Sequence, residues 1–414
     1  HDFSRRADEQ MALNLLQQGA DAFGASDEGS PPLQLTVRLG WHRLGQALLA
    51  LGADANATDA AGLTALHYAA QLGRTVLLKE LLVAGGDPGR RAANGQTPFG
   101  LALLSGDREA QHWLDWPDWQ LPMRRLHGGD LSSAVSSKDH DAVKRLLSLA
   151  VPLDSLDGRG STALIHACGQ GQMALVQLLL SYGAQVNLPA ANGVTPLWAA
   201  ISQGHEDILQ TLLEHQADAN QAVAAFPPLI LASRSGRVDM VGSLLECGAV
   251  ITAVDSQEQT ALHAASAYLA SDAARLDSVI LVDTLLRAGA AAAAADKFGQ
   301  TAMHLLCGAG LQKGQALKEA LVLSALDRLL QERSPVDALD ARGFTALHHA
   351  AARGYGQLAS RLLRAGADRN LRDNLGRSAY DFAVMGGFSA TADLPQDRPE
   401  RIDIADLLIR EDQL

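Results

Sequence analysis

The residues able to do chemistry are thinly spread along this 414-residue chain. Three cysteines (Cys168, Cys247, Cys307) and thirteen histidines are the candidate nucleophiles, general bases and metal ligands. A catalytic cysteine needs a histidine placed to take its proton, and a zinc site needs Cys/His pairs at short spacing or an H-E-x-x-H helix. Neither arrangement is evident. Four histidines (His67, His263, His304 and His348) instead recur in one local context, three residues after a threonine. The stretch "CGAGLQKG" (307–314) has the glycines of a phosphate-cradling loop, but no G-K-[ST] follows it. G-x-S-x-G is also absent. No catalytic residue, metal ligand or cofactor is assigned, and the chain is read as a non-enzyme.

Composition points the same way. The chain is 47% apolar and only 19% charged, which argues against bulk disorder. Aromatics are 4% while alanine and leucine abound, a bias suited to close helix packing. The net charge of −12, with no Lys/Arg-dense segment, makes nucleic acid or an anionic membrane a poor partner. Three cysteines form no disulfide framework, so a reducing compartment fits. There is no transmembrane run and no signal peptide. The chain opens at His1 rather than Met, so upstream sequence, and any targeting signal in it, is expected to be missing.

The elements that position these side chains come from a repeat. "GLTALHYAAQLG" (62–73), "GVTPLWAAISQG" (193–204) and "GFTALHHAAARG" (343–354) share one template. With its threonine column as position zero, the repeats sit at Pro31, Thr64, Thr97, Gly129, Thr162, Thr195, Pro227, Thr260, Thr301, Thr345 and Ser378. The first seven intervals are 32 or 33 residues. Nine of the eleven repeats carry glycine at position +9 (Gly40, Gly73, Gly106, Gly171, Gly204, Gly236, Gly310, Gly354, Gly387), where a helix must stop and reverse. Leucine pairs follow, as in "LLALGADAN" (48–56) and "LLRAGADRN" (362–370). Alanine pairs such as Ala69-Ala70, Ala199-Ala200 and Ala264-Ala265 let first helices approach closely, and the leucine pairs give each second helix a ridge that only neighbouring repeats bury.

A period near 33 with T-P/A-L-H-x-A resembles the ankyrin repeat, over nearly the whole chain. The resemblance implies an all-α solenoid: two antiparallel helices per repeat, short β-hairpin loops and a curved array. It implies that the motif histidines are struts hydrogen-bonding the loop backbone. Cys168 and Cys307 fall in the alanine column at +6 and read as small core residues; Cys247 lies in a helix-end turn. Leu15-Leu16 followed by "QQGAD" reads as a second helix lacking its first, so the array begins with a half-repeat cap.

Departures carry the rest. "WLDWPDW" (113–119) replaces the end of a second helix and the next turn, and Pro117 cannot continue a helix. It is read as an irregular junction, Trp113, Trp116 and Trp119, between a stack over 1–122 (a half-repeat cap and three repeats) and one over 123–414 (about eight repeats). The tryptophans either pack there or line a ligand groove; a merely flexible linker fits worst, since exposed tryptophans invite aggregation. Repeat 4 has lost threonine, histidine and the turn glycine. Repeats 8 and 9 span 41 and 44 residues, and repeat 11 has a comparable excess around 388–401. These inserts are expected on the side away from the hairpins.

Ankyrin stacks resemble one another in how they bind: hairpin tips and exposed first-helix positions meet a protein partner on the concave face. Here the tip column offers Leu63, Phe298 and Phe344, and positions +4 and +8 offer Tyr68, His349, Leu72 and Arg353. Phe344, His349, Arg353 and Tyr355 cluster in repeat 10, with Phe298 and Arg377 on its neighbours; Leu63, Tyr68 and Leu72 form a second group. Aromatic and arginine side chains are what interface hot spots use. The expectation is a monomeric, cytoplasmic protein-protein interaction scaffold, or one acting in a host cytosol if secreted, without nucleic acid or direct membrane insertion. The Ala/Leu/Gln/Arg bias suggests a bacterial source. The alternative is a regulatory ankyrin module of a larger enzyme, membrane protein or secreted effector.

Overall fold

The computed structural model describes residues 2–24, 26, 29–117, 119–271, 274, 279–309 and 319–392. The chain divides into two compact units, His1–Asn192 and Gly193–Leu414, with the tryptophan stretch well inside the first. Each unit is a stack of paired helices, and among the described residues β structure is confined to isolated bridges such as Thr58 to Thr64 and Ala295 to Thr301. No helix among them is long and apolar enough to cross a membrane.

The position-zero residue starts each first helix. Thr64, Thr162, Thr195, Thr260, Thr301 and Thr345 are extended N-caps. Proline stands at the first helical turn where threonine is followed by Pro98 or Pro196. First helices are short, Ala65–Gln71 and Ala346–Arg353 for example, and most second helices have nine residues, as in Thr75–Val83 and Gly356–Arg364. Segments this short are marginal alone, so burial against neighbouring repeats supplies their stability. The repeat leucines and alanines do this. Leu66, Ala69, Ala70, Leu78, Leu81 and Leu82 are all fully buried. Asparagine in the "GADAN" loop ties one repeat to the next: Asn56 donates to Gly85 O (2.8 Å) and accepts from Asp87 N (2.8 Å), and Asn220 does the same with Gly248 and Val250.

Glycine at +9 serves the reversal, most sharply at Gly354. Its φ is +74°, and a Cβ there would lie 2.4 Å from the Phe388 ring. Gly310 of the same column lies outside the described residues.

Repeat 4 keeps the expected alignment with an altered start. Its first helix, Gly128–Ser136, is capped by His127, two residues ahead of the Gly129 column, with Asp130 completing the box. Lys138 takes the turn position at φ 62° without being glycine. Repeat 9 uses part of its extra length to extend its second helix, Glu319–Gln331, to 13 residues. The Glu319 carboxylate then accepts from the Gln357 and Leu358 amides, supplying negative charge at the next second helix's N-terminus. The remaining inserted residues of repeats 8 and 9 (272–273, 275–278 and 310–318) and those of repeat 11 beyond Ala392 lie outside the described residues.

Candidate partner-binding site

The hairpin face is built on two recurrent side chains. The first is the motif histidine. Thr64 N donates to His67 Nδ1 (3.0 Å), which leaves Nε2 as the protonated nitrogen, donating to Gln96 O of the next repeat (3.2 Å). His263, His304 and His348 repeat this, reaching Gln300 O, Phe344 O and Arg377 O. In repeat 1, Gln34 Nε2 plays the same part toward Leu63 O (2.8 Å). Burial pushes all four histidines below the usual imidazole range, so they are neutral struts.

The second is an aspartate five residues before position zero. One oxygen of Asp59, Asp157, Asp255, Asp296, Asp340 and Asp373 accepts two hairpin amides, as Asp340 Oδ1 does from Arg342 N (2.8 Å) and Phe344 N (2.9 Å). The other oxygen often holds the +4 side chain of the same repeat. Tyr68 Oη donates to Asp59 (2.7 Å), His166 meets Asp157 (2.7 Å), and His349 Nε2 meets Asp340 Oδ2 (3.2 Å). Sequence reasoning missed this column, although D-x-x-G-x-T was its visible signal; aspartate in a turn reads as generic turn chemistry.

In the second unit the hairpin apices are joined edge to edge. Lys297 N donates to Gln257 O (3.0 Å), Ala341 N to Phe298 O (2.8 Å) and Asn374 N to Arg342 O (3.1 Å). Gln257, Phe298, Arg342 and Leu375 thus stand side by side, each three residues before position zero. Phe298 is 49% exposed and Leu375 75%. Phe344 and Leu63 lie two residues further on, at −1, where the chain turns inward: Leu63 is half-buried and Phe344 only 9% exposed. The sequence-based tip column had merged these two positions.

Around Phe298 lies a groove of about 630 Å³ between repeats 9 and 10, lined by Phe298, Arg342, Phe344, His349 and Arg353 among others. Its floor is an aromatic cluster: Phe344 lies 5.2 Å from the His349 ring and 4.9 Å from Phe382. His349 is buried, and desolvation pushes its imidazole below the usual value despite Asp340. For Asp340, burial alone would raise the carboxyl; hydrogen bonds from His349 and from the Phe344 and Arg342 amides outweigh it and hold the group well below the carboxylate range. Arg342 lies over the Phe344 ring at 4.6 Å, with its side chain 61% exposed. Gly308, at φ +94°, admits Arg353 and Tyr355, whose atoms would stand 2.9 and 3.1 Å from a Cβ there. Arg377 is held by Asp373 (2.7 Å) over Phe382 (4.4 Å).

The structure therefore brings Phe298, Phe344, His349 and Arg353 together, with Tyr355 packed beside Arg353 and Arg377 one repeat away. It moves His349 and Phe344 from the expected exposed surface into the floor, because the tip aspartate and the neighbouring rings claim them. It adds Arg342. In the first unit Tyr68 is half-buried under Arg38 (5.6 Å) and fixed by Asp59, while Leu72 is 45% exposed.

The tryptophans of the first unit face inward. Trp113 and Trp119 are 6% and 7% exposed, and Trp116 is half-buried. Trp116 Nε1 donates to Trp113 O (2.8 Å), closing the truncated helix Arg108–Leu114. Trp119 Nε1 donates to Ser133 Oγ (3.2 Å) and Trp119 N to Asp139 (2.9 Å), both on repeat 4. Arg145 lies over Trp116 (5.2 Å) and donates to Asp115 O, and Lys79 sits over Trp113 (4.6 Å). Asp118 lies outside the described residues.

Cys168 and Cys307 are fully buried in first helices or their ends, and burial pushes both thiols up, that of Cys307 to about 12. Such thiols are inert. Cys247 is exposed.

A family model for ankyrin repeats in three copies matches residues 3–114 and 131–223, and one for ankyrin repeats in many copies matches 329–383. The chain belongs to the ankyrin-repeat family. The unmatched stretches 115–130, 224–328 and 384–414 take in the departures of this ankyrin-repeat protein: the tryptophan junction and the inserts of repeats 8, 9 and 11. Ankyrin repeats are in general protein-protein interaction modules. No curated protein matches the chain significantly.

Proposed function

We propose that this ankyrin-repeat protein is a non-enzymatic scaffold that binds a partner protein on its hairpin and first-helix face, centred on the groove between repeats 9 and 10. One observation carries the reading. Phe298 is solvent-facing beside the exposed Arg342, over a groove whose buried carboxylate, Asp340, already has its hydrogen-bond partners. An exposed aromatic next to a stacked arginine is hot-spot chemistry on a rigid platform. The test is a photo-crosslinking amino acid at position 298, with position 246 on a second helix as control, in native lysate. A protein captured from 298 and not from 246 is expected. Capture from neither position, or equally from both, would overturn the site.

A further inference from the structure

We propose that the repeat 9–10 groove takes an acidic peptide segment carrying one aromatic or branched apolar side chain. The inference rests on the scaffold reading and names the chemistry of its partner.

The charge on this face is asymmetric. The carboxylates nearest the groove, Asp296 and Asp340, are 4% and 6% exposed and are engaged internally. Asp296 accepts from Phe298 N, Gln300 N and the Gln259 side chain. Asp340 accepts from Arg342 N, Phe344 N, His349 and, at 3.4 Å, the Arg342 guanidinium. Cations surround them: Lys297 is exposed beside Phe298 (5.8 Å), the Arg342 side chain is 61% exposed, and Arg353 lines the groove. Neutral residues hold the corresponding apex positions of repeats 2 and 3, Ala60-Ala61 and Ala93-Asn94. On a chain of net charge −12, the groove is thus a local basic site.

Geometry selects carboxylates within that class. The Arg342 guanidinium sits over Phe344 at 4.6 Å and sends one Nη2–H back to Asp340 Oδ2 (3.4 Å); with the side chain 61% exposed, its other N–H groups are placed to meet a carboxylate. The Phe298 ring, half exposed on the same row, offers an apolar contact to the neighbouring side chain of the same ligand. Long-range attraction from the three cations would speed encounter and be screened by salt.

The test is fluorescence anisotropy with three labelled peptides on the full chain: Glu-Glu-Phe-Glu-Glu, Lys-Lys-Phe-Lys-Lys and Glu-Glu-Gly-Glu-Glu. The first should bind more tightly than either of the others, and more weakly as salt rises. Arg342→Glu should weaken it about tenfold or more, Arg342→Lys should lie between variant and wild type, and Phe298→Ala should cost severalfold. Both residues are surface groups, and an unchanged thermal melt for each variant would show that the fold is intact. Equal binding of the lysine and glutamate peptides, no measurable binding of any peptide, or unaltered affinity in Arg342→Glu overturns the inference. If crosslinking from position 298 captures a partner while the acidic peptide fails, the scaffold reading stands and the acidic ligand falls.

Discussion

The tryptophan junction of the first unit and the repeat 9–10 face of the second use the same materials, aromatic rings with arginine over them, to opposite ends. At the junction Trp113 and Trp119 are buried and Trp116 half-buried, the Trp116 and Trp119 indole N–H groups are both bound, and one Arg145 N–H donates inward to the Asp115 carbonyl. On the repeat 9–10 face the apex residues Phe298 and Arg342 stay 49% and 61% exposed, and the inward positions are taken by Phe344 and His349. What separates structure from recognition here is where each polar group finds its partner. A residue that is both buried and bonded within the chain is part of the framework, however much its type suggests binding.

Mutation can break that contrast. The largest effect is expected from Trp119→Ala, which removes a buried indole and leaves the Ser133 hydroxyl without its donor; denaturant unfolding should show a loss of about 3–5 kcal/mol. A loss below about 1 kcal/mol would put the tryptophans on the recognition side of the comparison. Gly354→Val forces a β-branched residue into a left-handed turn against Phe388, and should cost about 1–3 kcal/mol, read as faster hydrogen exchange across Ala346–Arg364. Full stability in that variant would contradict the repeat alignment itself.

Acidification sharpens the contrast between the units. Of the five histidines that burial holds below the ordinary imidazole value, His67 lies in the first unit and His263, His304, His348 and His349 in the second. Between the folded and unfolded values the unfolded chain binds more protons, so the stability they lend is complete above about pH 6.5 and is lost as pH falls through the folded values. Hydrogen exchange, corrected for intrinsic rate, should therefore rise more in the second unit than the first between pH 7 and pH 5. An equal rise would mean the struts are not the acid-sensitive groups. Lys138→Gly should go the other way, stabilising repeat 4 by about 1 kcal/mol in thermal unfolding by relieving a left-handed lysine. The smallest effect is expected for Phe298→Ala, within about 0.5 kcal/mol of wild type in the same measurement, since its ring is on the surface.

Much of this was legible in the residues. The threonine, histidine and glycine columns each state a local requirement — a cap, a strut and a left-handed turn — so the helix pairs follow from spacing alone. The candidate face was legible only in part. Phe298 and Phe344 look alike in sequence, and two residues of hairpin decide that one faces water and the other the core. His349 carries no mark of its burial, which depends on Asp340 nine residues earlier, and nothing in the sequence sets Arg342 apart from other hairpin residues. Repeat 4 concealed its start because His127 and Asp130 perform the cap with unfamiliar residue types.

The amide links between hairpin apices have one more consequence. The links from Gln257 O to Lys297 N and from Phe298 O to Ala341 N are made across repeats 8 and 9, the two whose threonines are 41 and 44 residues from the next. Neighbouring apices therefore stay within one amide hydrogen bond of each other, 3.0 and 2.8 Å, whatever length of chain separates them. Added sequence is absorbed elsewhere, and the outward row behaves as a ruler whose graduations do not shift. Lineages are then free to lengthen or trim these repeats without retuning whatever the row measures.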